Sequence, residues 1–159
     1  MTIRDGFRLT ALPADTFAPL FALGPIALAE RRIQRLTADG PGRFCRVGLD
    51  HVATGRDLLL LAYEHHPAAS PYRASGPIFV GHGAVRADPA PGEIPEAMRP
   101  GLFAVKAYDA RGDIVDADIA EGLALESRIA RFLRRADAEF LHLHFARRGC
   151  YACRVERVD

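Results

Sequence analysis

A chain of 159 residues, 49% hydrophobic and 26% charged, is long enough to bury a core unaided and too apolar to be a disordered segment. A formal net charge of +1 sets up no global field for nucleic acid or an anionic membrane, so neither is expected as a partner. The longest strongly apolar run, LLLLA at 58–62, is far too short to span a bilayer.

The N-terminal stretch is broken by Arg4, Asp5 and Arg8 and has no apolar h-region, which argues against a signal peptide and for a cytoplasmic protein. FRLTAL at 7–12 alternates apolar and polar residues and reads as a strand. PADTFAPLFAL at 13–23 reads as a helix capped by Asp15 or Thr16 and limited by Pro19. PIALAERR at 25–32 reads as a second helix, with proline in its first turn. RRIQRLTA is a weak strand closed by the turn DGPG at 39–42.

After FCRVGLDHV and the turn TGRD, the run DLLLLAYE at 57–64 has the continuous apolar character of a strand covered on both faces. HHPAASPYRASGP is a proline-bearing loop, IFVGHGAV a strand, and RADPAPGEIP another loop. GLFAVKAYDARGDIVDADIA forms a hairpin about DARGD. In GLALESRIARFLRR, Leu125, Ile129, Phe132 and Leu133 make one apolar helical stripe. EFLHLHF and CYACRVERV form a C-terminal β-hairpin about ARRG. The expected fold is α+β: a largely antiparallel sheet of about six to seven strands with two to three helices packed on it, in a single domain over 1–159.

Chemistry concentrates in two segments. In EFLHLHF, alternation turns Leu141, Leu143 and Phe145 to the core and Phe140, His142 and His144 to the other face. The two imidazoles then stand roughly 6–7 Å apart along the strand. That spacing suits acid/base groups or metal ligands, and equally two solvated histidines without a ligand. Cys150 and Cys153 face opposite sides if their strand is fully extended. They meet only if Gly149 to Ala152 turns tightly, which glycine at 149 permits. A structural zinc bound by His142, His144, Cys150 and Cys153 has acceptable ligand types but no familiar finger spacing. The odd number of cysteines, three, argues against a disulfide framework.

The second segment, 64–76, carries His65, His66, Tyr72, Arg73 and Ser75, a set that suits a carboxylate or phosphate. Its bland reading is a long loop whose Arg73 and Ser75 satisfy nearby carbonyls. Arg46 and Arg154, each in a Cys-Arg-Val triplet, are further anion-binding candidates. Nearly all basic residues are arginine, with Lys106 the single lysine, and the planar guanidinium favours bidentate binding of anions. Nucleotide-binding glycine loops, the zinc-protease HExxH pattern and the GxSxG nucleophile elbow are all absent.

PYRASGPIFV and GCYACR, with FCRVGLDHVATG, VKAYDARGDIVDADI and the HLH segment around them, resemble in order a bacterial family known only as a domain of unknown function. The resemblance runs from about Arg8 to Asp159. It implies a small single-domain cytoplasmic protein and assigns no activity.

Three readings of function follow. The first is a site for an anionic small molecule, in a binding protein or an enzyme, formed by 64–76 and the C-terminal hairpin. There Arg73, Tyr72, Ser75, Arg46 and Arg154 bind the anion. His65, His142 and His144 serve as acid/base groups, with His142 and His144 also candidate metal ligands, and Cys150 or Cys153 as nucleophile. The second is a protein with zinc at the four-residue site. The third is a non-catalytic interaction module, with a homodimer as one form of it.

Overall fold

The computed structural model describes residues 6–158. Ten strands form two five-stranded sheets instead of the single sheet expected. The first sheet is wholly antiparallel, in the order β1 (Phe7–Thr10), β10 (Tyr151–Arg157), β9 (Phe140–Phe145), β7 (Leu102–Tyr108), β8 (Ile114–Glu121). The second is mixed: β2 (Gln34–Thr37), β5 (Asp57–His66), β6 (Ala74–Gly81), β3 (Phe44–Cys45), β4 (Asp50–His51), with β3 parallel to β6. Sequence periodicity shows which residues share a face but not which strands pair, and the division into two sheets was therefore not legible.

Each sheet has its own core. In the first, Leu141, Leu143, Val105 and Val155 pack with Leu125, Ile129 and Phe132 of α2 (Leu125–Leu133), the helix predicted by its apolar stripe. In the second, Leu58, Leu59, Leu61, Ile78 and Val80 pack with Phe17 and with Leu28 of α1 (Pro25–Glu30). The helix expected over 13–23 is instead two 3-10 segments, Ala14–Thr16 and Ala18–Ala22, without any side-chain cap. Pro19 lacks the N–H that a continuing helix would use, and Pro13 holds the capping position.

Two further features move the site. Within FCRVGLDHV, β3 and β4 flank a tight turn over 46–49 in which Leu49 adopts φ 51° and its amide donates to the Cys45 carbonyl at 2.8 Å. A buried leucine in the left-handed region costs about 1–2 kcal/mol, and the surrounding core of the first sheet holds it there. The turn fixes Arg46 from both sides. Its amide donates to Phe79 O at 3.0 Å, and its carbonyl accepts from Leu12 N at 3.0 Å. Second, β5 continues through His65 and His66, with a register shift between Tyr63 and His66, so these histidines lie on a strand and not in the loop.

Candidate functional site

The two sheets meet along a seam where β5 lies against β9 and β10, and the chemistry-bearing residues collect there in two clusters. The first is histidine-rich. On β9 the alternation works as expected, with Leu141 and Leu143 fully buried on one face. The opposite face is not open to water, because the second sheet covers it and leaves His142 2% and His144 3% exposed. His65 and His66 come from β5. His65 lies 5.0 Å from His144 and 6.0 Å from His142 between ring centroids, and His66 lies 5.5 Å from His142. Tyr151 stacks on His65 at 5.1 Å, and Tyr108 lies 4.3 Å from His66.

Hydrogen bonds define two of the tautomers. His144 Nδ1 donates to Gly149 O at 2.9 Å, and His66 Nε2 donates to Gly112 O at 2.8 Å. Gly112 has φ +85°, and a Cβ there would meet Ala68 at 2.4 Å, so only glycine lets its carbonyl reach the ring. Among the described residues His65 Nδ1, His142 Nδ1 and His144 Nε2 are buried without a hydrogen-bond partner. Desolvation is the chief influence on their acidity. It drives His142 down to about 2 and His144 to about 4, and it lowers His65. Neighbouring imidazoles and the cations Lys106 and Arg154 add to the effect on His142, His144 or His65. The rings of His142 and His144 are neutral at pH 7, and burial favours the neutral ring at His65.

The second cluster lines a cavity of about 690 Å³ that crosses the seam. The second sheet supplies Phe44, Leu60, Pro77 and Phe79, and the first supplies Phe145 and the β9–β10 turn with Arg147, Arg148 and Cys150. Gly149 shapes that turn with φ +77°, as its place in ARRG suggested. Arg43 and Arg46 line the same cavity. Arg46 is the unusual group, at only 3% exposed. Its Nε donates to Tyr151 O at 2.7 Å and its Nη1 to Phe44 O. Its guanidinium carbon sits 5.3–5.9 Å from the ring centroids of Phe44, Phe79 and Phe145. Burial pushes its pKa down to about 10, and nearby thiols, Cys150 foremost, offset this in part. Among the described residues no carboxylate pairs with Arg43, Arg46, Arg147 or Arg148, and Arg46 Nη2 has no protein acceptor.

The predicted residues separate accordingly. His65, His142 and His144 come together. Arg46 and Cys150 line the arginine cavity. Arg154 lies beside the histidines, its guanidinium 3.9 Å from the Phe140 centroid and its Nε on Glu156 at 2.6 Å. Arg73 is bound to Glu64 at 3.0 Å on the surface, and that partner raises its pKa. Tyr72 and Ser75 are exposed beside it, so none of the three lines the cavity. Cys153 is buried with Leu141 and Leu143 in the core of the first sheet, and burial pushes its thiol up to about 12. The bulge between Tyr151 and Cys153 places Tyr151 on the histidine face and Cys153 on the opposite one.

The four-ligand zinc arrangement is therefore not formed. Cys150 and Cys153 are free and lie in different environments, and among the described residues no group of three or more His, Cys, Asp or Glu side chains is arranged to hold a metal ion. Sequence reasoning gave Arg43 no role and Arg147 and Arg148 only that of turn residues. The pairing of arginines in ARRG was the available signal, but nothing local indicated that this turn faces GPGRF.

Residues 42–157 match a family described as proteins of unknown function (DUF1203), and the chain belongs to that family. The match encloses both clusters, although it starts well after Arg8. Neither a curated protein nor a solved structure matches the chain. No helix among the described residues is long and apolar enough to cross a membrane.

Proposed function

We propose that this protein binds a small organic anion, with a carboxylate, sulfonate or phosphate group on an apolar or aromatic body, in the arginine-lined cavity. The observation that carries this reading is Arg46, a buried guanidinium open to a cavity lined by three further arginines, none of the four paired with a carboxylate among the described residues. A buried charge costs several kcal/mol in lost hydration. Two carbonyls and three aromatic faces offset part of that cost. An anion on the remaining nitrogen supplies the missing counter-charge.

The apolar half of the lining argues for more than an inorganic ion. Phe44, Phe79, Phe145 and Leu60 offer a slot for a flat ring, and the volume falls within the usual range for small-molecule sites. Burying about 150 Å² of such a ring contributes on the order of 4 kcal/mol at 25 cal/mol per Å². Exposed Arg147 and Arg148 contribute a screened attraction that fades with salt. The three free thiols suit a reducing compartment, which supports the cytoplasm as the setting.

Calorimetric titration of the full chain with 2-naphthalenesulfonate, 2-naphthol and sodium sulfate tests the reading. The aryl sulfonate is expected to bind at least tenfold more tightly than either the neutral ring or the bare ion, and more weakly at 0.5 M salt. Equal affinity for the naphthol, or no binding of the sulfonate, would overturn it.

A further inference from the structure

The geometry points to the histidine cluster as a clasp between the two sheets that acid releases, opening the arginine cavity and expelling its anion. This rests on the anion-binding reading, because it names what regulates that site.

The clasp has two halves: His65 and His66 on β5 of one sheet, and His142 and His144 on β9 of the other. All four rings lie in one run of contacts with centroid separations of 5.0–6.2 Å. Among the described residues three buried ring nitrogens have no hydrogen-bond partner. Since His144 Nδ1 already donates to Gly149 O, its Nε2 is a bare lone pair and the atom where a proton adds. A proton there enters a buried site against two other imidazoles.

The surrounding charges give it no relief. Lys106 and Tyr108 lie on β7, Arg154 and Tyr151 on β10, and Arg46 on the β3–β4 turn. The carboxylates near the cluster's margins are engaged: Glu156 by Arg154, Glu64 by Arg73, Asp113 by Ser70, and Asp109 by Arg111 and the Asp113 amide. Closed sheets therefore exclude protons, whereas separated sheets return the rings to water, where imidazole titrates near 6.5. Between the lowered closed-state values and about 6.5 the open form binds more protons, so acid favours opening.

The clasp and the cavity share structural parts. Tyr151 packs on His65, His142 and His144, and its carbonyl takes Arg46 Nε. Gly149, which holds His144, sits in the turn that carries Arg147 and Arg148. Moving β9 and β10 away from β5 draws Phe145, Arg147 and Arg148 from Leu60, Pro77 and Phe79, so the cavity loses one wall. A ligand that needs the closed seam and protons that favour the open one oppose each other, and the opposition is reciprocal.

The test uses the full chain and 2-naphthalenesulfonate, whose charge does not change between pH 4.5 and 7.5. Affinity is expected to fall at least tenfold from pH 7 to pH 5, and by less than threefold in His142→Phe. In the unliganded wild-type protein, NMR is expected to show the His142 and His144 rings neutral at pH 7 and protonated at pH 5 only in step with loss of contact between the two sheets. Binding at pH 7 that does not weaken at pH 5 overturns the clasp and leaves the pocket reading intact. Rings that titrate near 6.5 while the sheets stay in contact also overturn it, as does uptake of one zinc ion per chain that His142→Phe abolishes. No binding at pH 7 overturns the pocket reading itself.

Discussion

Arginine and histidine meet burial in opposite ways, and the seam between the two sheets holds one example of each. At the histidine cluster, desolvation is answered by giving up the proton: His142 and His144 are neutral and the seam closes without counter-ions. Arg46 has no such exit. Even pushed down to about 10, it keeps its charge at neutral pH. A buried histidine therefore reports on pH, whereas a buried arginine without a carboxylate calls for an anion.

The comparison can be broken most forcefully by acid. Two histidines that stay neutral while the seam is closed make the closed protein less stable as pH falls, each at roughly 1.4 kcal/mol per pH unit below 6.5. Urea unfolding is expected to show stability intact above pH 7 and lower by about 3 kcal/mol at pH 5, because an opened seam takes up protons short of unfolding. A flat profile would mean that the rings are hydrated. The arginine side of the comparison predicts no such slope and a large effect on binding instead. Arg46→Met is expected to weaken 2-naphthalenesulfonate about 100-fold, near 3 kcal/mol, by removing the desolvated donor, as read by calorimetry at pH 7.

Smaller effects sharpen the contrast between buried and exposed charge. Arg148→Ala, at the exposed rim, is expected to cost about fivefold in affinity at low salt and almost nothing at 0.5 M salt, with stability within about 0.5 kcal/mol of wild type. Arg73→Ala, which breaks only the surface pair with Glu64, is expected to change stability by less than about 1 kcal/mol and leave binding unchanged. A loss of affinity in Arg73→Ala would return the site to the 64–76 segment.

Much of the local structure was legible. The stripe Leu125, Ile129 and Phe132 became the buried face of α2. The run 58–61 became the middle of a buried strand, and ARRG became the turn of the C-terminal hairpin. Errors arose where local pattern competed with long-range contact. His65 and His66 looked like loop residues but lie on β5, whose pairing with β6 extends to Ala74. Arg73 looked like a free fork, and Glu64, nine residues earlier, takes it.

By itself the sequence determined that the chain has strands of alternating and continuous apolar character, and that His142 and His144 share a face opposite Leu141 and Leu143. Alternation assigns a side chain to a face but is silent about what covers that face. Only the tertiary structure laid a second sheet over the imidazoles, and only the parallel pairing of β3 with β6 carried Arg46 across 105 residues of sequence to the Tyr151 carbonyl. Both facts come from long-range strand pairing, which depends on how whole faces of the chain bury one another and leaves no mark in any short stretch of residues.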